Sequence, residues 1–270
     1  MNNKFDLSVI IVNYNTPDLS RAAVESCLSE SSGLHIEIIV IDNNSKKKFD
    51  PEYLNRKNVL VVHKNENRGF AAAVNEGIKM SRAKYCLLLN SDARVCKGAI
   101  HKMINCLDIL ENTACVGGKI KGLNKLTEVS YGHFPNLVVE FRLKIFKILL
   151  NKISFIRKSF EKEMSKPKRI DWVSGAFMML KKDLFDKIDG FDENYFLYFE
   201  DIDFCERISQ KGYYVNYLPS AECIHERGKS VENLPLKDSL KIKRKSQKRF
   251  YKKFNNPVSN LLLKLVTYKR

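Results

Sequence analysis

No stretch of this chain approaches the roughly 18 consecutive apolar residues of a membrane-spanning helix, and its first residues lack the charged, apolar and small-residue order of a secretion signal. The expectation is a protein of the cytosol. Cysteine is odd in number, seven, and forms no C-x-x-C pair, which argues against a disulfide framework or a zinc cluster. The apolar company of Cys86 and Cys205 predicts reduced, buried thiols. There is no G-x-G-x-x-G fingerprint and no Walker loop, so dinucleotide binding and ATP hydrolysis are both disfavoured. A nucleotidyltransferase would need a Gly-rich, Arg/Lys-ended loop directly after the first strand, and that too is missing. Carboxylates are scarce over 141–169 and 237–270, where Lys and Arg concentrate, and the net charge is +16. Such a field attracts nucleic acid, anionic lipid or phosphorylated substrates, and sign alone does not choose among them.

What is present is a globular composition, 44% hydrophobic and 29% charged over 270 residues, enough for one large domain or a domain with a small appendage. The pattern predicts a domain over 1–235, carrying a basic amphipathic insert at 137–165, and a basic helical tail over 236–270. Apolar strands read at Leu7 to Asn15, Ile36 to Asp42, Asn58 to His63 and Tyr85 to Leu89. Helical segments alternate with them, from about Leu19 to Ser29 and from near Phe70. This alternation calls for a parallel sheet with right-handed crossovers. Further helices are expected at Lys97 to Leu110, Lys182 to Ile188 and Glu200 to Lys211. Further strands are expected at Ala114 to Gly117, Asp171 to Leu180, Val215 to Pro219 and Ala221 to His225.

The strand ending in Asn90-Ser91-Asp92 is the centre of the reading. A run without polar alternation is a buried parallel strand, and open α/β sheets bind ligands just beyond the carboxyl ends of such strands. A carboxylate there can grip a cation, or it can simply cap the next turn. In Asn67-Arg68-Gly69, the glycine allows close backbone approach, Arg68 can meet phosphate, and the following helix start favours an anion. Glu200, Asp201 and Asp203 follow an aromatic run and open a helix; capping accounts for one or two of them, and an acid in apolar surroundings suits general base work. Ser174 and Gly175 beside Trp172, the single tryptophan, leave room for a flat ligand. His225 sits after a strand, where metal binding is geometrically open. In the insert, Phe141, Ile145, Ile148, Leu149 and Phe155 oppose Arg142, Lys144, Lys147 and Lys152. That helix either lies on an anionic membrane face or covers the sheet.

The ordered blocks Val9 to Asn15, Val40 to Ser45, Asn67 to Asn75, Leu89 to Asp92, Trp172 to Ala176 and Phe199 to Asp203 together resemble family 2 glycosyltransferases, closest to a rhamnosyltransferase-like branch of bacterial surface-polysaccharide synthesis. The resemblance implies a GT-A fold, Rossmann-like, with a mainly parallel central sheet flanked by helices. It implies inverting sugar transfer from a nucleotide-sugar donor with a divalent cation, Mg²⁺ or Mn²⁺. Asp42 matches the residue that reads the nucleobase, with Asn13, Tyr14, Asn15 and Asn43 beside it. Arg68, Gly69 and Asn75 fall near the donor, and Asn90, Ser91 and Asp92 stand where the family has its Asp-x-Asp motif. Asp92 and His225 match metal ligands, and Asp201 the catalytic base. Trp172, Ser174, Gly175 and Glu200 are the acceptor-binding candidates. The first motif position is Asn90 rather than Asp, which leaves fewer carboxylates for the cation. The expected donor is dTDP-rhamnose, with UDP-hexose or UDP-HexNAc as the alternative. The acceptor is a glycan or polyprenyl-diphosphate-linked glycan of O-antigen or capsule synthesis, met at the inner leaflet of the plasma membrane. A basic module that binds membrane or nucleic acid without catalysis is the distant alternative, and it leaves Asp42, Asp92 and Asp201 unexplained; no nucleic-acid partner is expected.

Overall fold

The computed structural model describes residues 4–49, 56–226 and 236–254. Its first strand, β1 (Phe5–Asn13), lies between β2 (Ile36–Asp42) and β4 (Ala83–Asn90), and β3 (Val59–His63) flanks β2; these four are parallel. Alternate β1 residues explain the layers. Leu7, Val9 and Ile11 enter one core cluster, with Ala23, Val24 and Cys27 of helix α1 (Pro17–Ser29), while Ile10 enters the other, with Ala71, Val74 and Ile78 of α2 (Phe70–Met80). Pro17 and Asp18 open α1 as expected for a fixed φ and a favourable charge in the first turn.

After β4 come β5 (Ala93–Val95), α3 (Ala99–Ile109), β6 (Thr113–Gly122) and β7 (Tyr131–Gly132). The insert is not one helix but two, α4 (Leu137–Lys152) and α5 (Ser154–Glu163), broken at Ile153, which takes an extended backbone. β8 (Lys168–Ile170), β9 (Trp172–Val173) and β10 (Phe177–Lys181) follow, then α6 (Lys182–Lys187), α7 (Glu200–Gln210), β11 (Tyr214–His225) and α8 (Leu236–Phe254).

The large sheet runs β3-β2-β1-β4-β10-β6-β11-β5, with β8 also on β11. β11 is parallel to β6, whereas β10, β5 and β8 run against their neighbours. The strand expected over Asp171 to Leu180 is therefore split: Trp172–Val173 pairs with β7 in a second small sheet, and Phe177–Lys181 joins the main one. Ser174, Gly175 and Ala176 are the hinge between them, and Ser174 N donates to Ser130 O at 2.8 Å.

The tail is helical over its described part, and α8 buries Phe250 and Tyr251 in a third cluster with Tyr195, Phe199 and Ile202. The apolar-basic run Leu261 to Val266 lies outside the described residues. All seven thiols are free, and five of them are buried.

Candidate active site

Sheet register aligns the polar strand ends: Asn13 lies opposite Asp42, and Val12 opposite Asn90. Above them opens a cavity of about 850 Å³. Asn13 and Asp42 do not line it. Asp42 is fully buried, and its carboxylate accepts from Asn13 Nδ2 (2.8 Å), Ser45 N (2.9 Å) and Phe49 N (3.0 Å). Asn13 Oδ1 in turn accepts from Ser20 Oγ at 2.8 Å and from Thr16. This network fixes the turn carrying Tyr14, which does face the cavity, and Asn15, held at φ 59° with its N–H on Ser45 Oγ at 2.9 Å. Asn43 lines the wall and donates to Asn67 Oδ1 (2.8 Å) and Gly69 O (3.1 Å).

Arg68 and Asn75, also predicted near the donor, lie elsewhere too. Arg68 is exposed and pairs with Glu193 at 3.0 Å. Asn75 brackets Phe191, donating to its carbonyl at 2.9 Å and accepting from its N–H at 2.8 Å. The short polar side chain of Asn75 serves a loop closure there rather than the cavity.

Asp92 and His225 are brought together by β5, an element without a sequence signal. It pairs antiparallel with the end of β11, placing His225 opposite Ala93, and Glu226 N donates to Asp92 O at 2.8 Å. His225 Nε2 is then 3.0 Å from Asp92 Oδ1, with both side chains buried, and Asn90 Nδ2 lies 3.4 Å from the same nitrogen. Glu128 stands 3.5 Å from Nδ1 on the other side of the ring and orients it. Burial alone would lower the His225 pKa, but the hydrogen bonds to Asp92 and Glu128 outweigh it and lift it to about 9. Among the described residues no three His, Cys, Asp or Glu side chains close into a cage for an ion. A carboxylate beside an imidazole does suit a divalent cation that draws its remaining ligands from phosphate and water, the ion displacing the imidazole proton.

At the other end, Tyr198 (φ 67°) and Phe199 (φ 71°) hold consecutive left-handed conformations that bulky side chains rarely adopt, a strain typical of functional turns. They aim the first turn of α7 into the cavity. Asp201 Oδ2 accepts from Gly175 N at 3.0 Å and Oδ1 from Ile202 N at 2.9 Å. Burial raises its pKa, and these N–H groups oppose the rise by favouring the charged form. Glu200 is 5% exposed and its Oε2 has no hydrogen-bond partner. Burial, then the neighbouring Asp201 charge, pushes it well above the carboxylate range. Of the two, Asp201 has the more favourable setting for a negative charge, because two backbone N–H groups face it. Trp172 lines the wall beside Ser174 and Gly175, its indole N–H on His133 O at 3.0 Å.

Sequence reasoning missed Asn67, Glu128, Ser239 and Lys243, all on the cavity wall. Asn67 stood inside a motif already singled out. Glu128 and α8 arrive from distant chain, and no local pattern announces them.

A model described as glycosyl transferase family 2 matches residues 8–189, and one described as the N-terminal domain of galactosyltransferase matches 158–230. The rhamnosyltransferase WbbL of Escherichia coli K12 is 26% identical, covering 80% of this chain and 82% of its own. The N-acetylglucosaminyl-diphospho-decaprenol L-rhamnosyltransferase of Mycobacterium tuberculosis is 23% identical over 85% of this chain and 78% of its own. Among solved structures, GalNAc-T7 with UDP, GalNAc and Mn²⁺ superposes with a TM-score of 0.58 at 16% identity, over 83% of this chain and 44% of that one. The 1–349 fragment of Staphylococcus aureus TarS gives 0.54 at 15% identity, over 92% and 72%.

Proposed function

Because the chain belongs to glycosyltransferase family 2 and is a hexosyltransferase, we propose that it moves L-rhamnose from dTDP-rhamnose, with inversion, onto a hydroxyl of a lipid-diphosphate-linked glycan of a surface polysaccharide. The observation that carries this reading is one cavity bordered by the Asn90–Asp92/His225 cluster and by the Asp201 carboxylate. The sugar and the lipid diphosphate come from the names of the two rhamnosyltransferase relatives.

In this mechanism Asp201, held by the Gly175 and Ile202 N–H groups, takes the proton of the acceptor hydroxyl. The acceptor oxygen bonds to the anomeric carbon as the bond to the donor diphosphate breaks on the opposite face. Glu200, neutral, donates a hydrogen bond to the acceptor sugar, and Trp172 offers it a flat apolar wall. Asp92 and His225 would hold a divalent cation, Mn²⁺ or Mg²⁺, whose chemistry is to neutralise charge on the departing diphosphate.

The insert supports a membrane seat for such an acceptor. α5 is anchored by Arg157 Nη2 on Thr127 O at 3.0 Å and by Phe160 against the core, so part of the insert does cover the sheet. α4, however, leaves Val138, Phe141, Ile145 and Ile148 exposed at helical spacing, followed by Ile153 and Phe155, the last 79% exposed. The side chains of Lys144 and Lys147 lie outside the described residues. Among the described residues no helix is long and apolar enough to cross a membrane, so the seat would be peripheral.

The test is a thermal-shift panel of dTDP-rhamnose, dTDP-glucose, UDP-glucose, UDP-galactose and UDP-GlcNAc, each with and without Mn²⁺. A Mn²⁺-dependent rise with dTDP-rhamnose alone is expected. A rise with a UDP-sugar instead replaces the donor, and no rise with any overturns the assignment of the cavity.

A further inference from the structure

We propose that Lys243 grips the diphosphate of the acceptor, making α8 the wall that selects a diphosphate-linked acceptor over a neutral one. This rests on the transferase reading above. Ser239, Lys243, Ser246 and Phe250 follow one another at helical spacing and share a face of α8. That face is fixed: Phe250 is buried, Ser246 Oγ donates to Leu197 O at 2.8 Å, and Ser239 Oγ lies 3.3 Å from Tyr198 OH. Lys243, itself exposed, therefore borders the cavity from a rigid support, on the helix packed against the turn that delivers Glu200 and Asp201.

Its charge balance sets it apart. The other charged side chains lining the cavity are Glu128, Glu200, Asp201 and His225, so Lys243 is the sole Lys or Arg there among the described residues. Elsewhere on α8, Arg249 and Lys253 are committed to Asp192 and Asp203 at 2.6–3.1 Å. Lys243 has no carboxylate partner among the described residues. A compact cation on a flexible stem, unpaired and facing a cavity, is suited to a phosphate. Two diphosphates visit such a cavity, the donor's and the acceptor's. Lys243 lies on α8 between Ser239 and Ser246, which touch Tyr198 and Leu197 of the turn leading into Asp201, the side where the acceptor hydroxyl must lie.

The experiment titrates the full chain with farnesyl diphosphate and with farnesol, dTDP being saturating, and separately with dTDP-rhamnose. Wild type is expected to bind farnesyl diphosphate more tightly than farnesol. Lys243→Ala should weaken farnesyl diphosphate about tenfold while leaving farnesol and dTDP-rhamnose unchanged. Lys243→Arg should retain most of the affinity, and Lys245→Ala, exposed on the same helix, should change none of these. Equal affinity for the two farnesyl compounds, no loss in Lys243→Ala, or a matching loss for dTDP-rhamnose would overturn the proposal. A wild-type chain that binds no nucleotide sugar would instead sink the transferase reading beneath it.

Discussion

Two adjacent carboxyls on one helical turn are both raised by burial, and Glu200 further because the Asp201 charge adds to it. Asp201 receives two backbone N–H groups and Glu200 Oε2 receives nothing. Asp201→Asn should cut kcat by about 10²–10⁴ while donor binding persists, read by steady-state transfer alongside donor thermal shift. The Asp201 pKa is raised by burial, so the base is charged only above that raised value. The rate should therefore fall with decreasing pH at an acid limb lying above the ordinary aspartate range of about 3.9. Glu200→Gln should leave that limb in place, since the neighbour it removes is already neutral. A raised acid binds its proton more tightly folded than unfolded, so it costs stability as pH rises through the gap. Glu200→Gln should accordingly raise the melting temperature more at pH 8 than at pH 5. The candidates were legible in outline: three acids in four positions after an aromatic run exceed what capping needs. The different settings of Asp201 and Glu200 were not legible, because they depend on Gly175 across the cavity.

At the scale of elements, the strand-and-helix alternation and the polar strand ends were legible because a buried parallel strand writes itself as an uninterrupted apolar run. The two-strand split around Ser174–Ala176 and the three-residue β5 were not, since short edge segments carry no periodicity. Asp42 was singled out for its place at a strand end, and the structure adds that its carboxylate takes three internal donors and organises the turn. Close approach between elements yields a sharp prediction. Gly69 caps α2 at φ 95°, and a Cβ there would sit 2.3 Å from Phe196 O. Gly69→Ala should push the 195–199 turn out of place, with destabilisation of about 2 kcal/mol or more and loss of transfer, measured by urea unfolding and activity. The Asp192 anchor of α8 behaves differently. Burial would raise this carboxyl, but Asn194, Arg249 and Lys253 outweigh it and hold it well below the usual range. Its contribution is complete above the unfolded value of about 3.9 and fades as pH falls toward the depressed one. Asp192→Asn should cost about 2 kcal/mol at pH 7 and somewhat less at pH 3, the cost shrinking further only as pH approaches the depressed value.

For the whole molecule, the +16 charge is the least specific observation, and its meaning depends on where the cations are committed. Arg249 and Lys253 are tied to carboxylates, while Lys241, Lys243, Arg244, Lys245 and Lys248 of α8 are exposed and have no such tie among the described residues. Together with the apolar face of α4, they lead us to expect flotation with anionic vesicles at low salt, weakening as salt screens the charge. Phe141→Glu with Phe155→Glu should abolish flotation and spare dTDP-rhamnose binding; flotation unchanged by both would leave α4 without a lipid role. The meeting of Asp92 with His225, partners 133 residues apart, has a consequence in time. On the ribosome, the first four strands can emerge and pair while the imidazole is still unsynthesised. Only when β11 docks beside β5 does Asp92 gain the His225 imidazole, so a fragment ending before β11 could pack those strands and still lack the candidate cation site. Competence would come only once β11 is made, and a chain halted before it would draw neither metal nor sugar nucleotide from the cell.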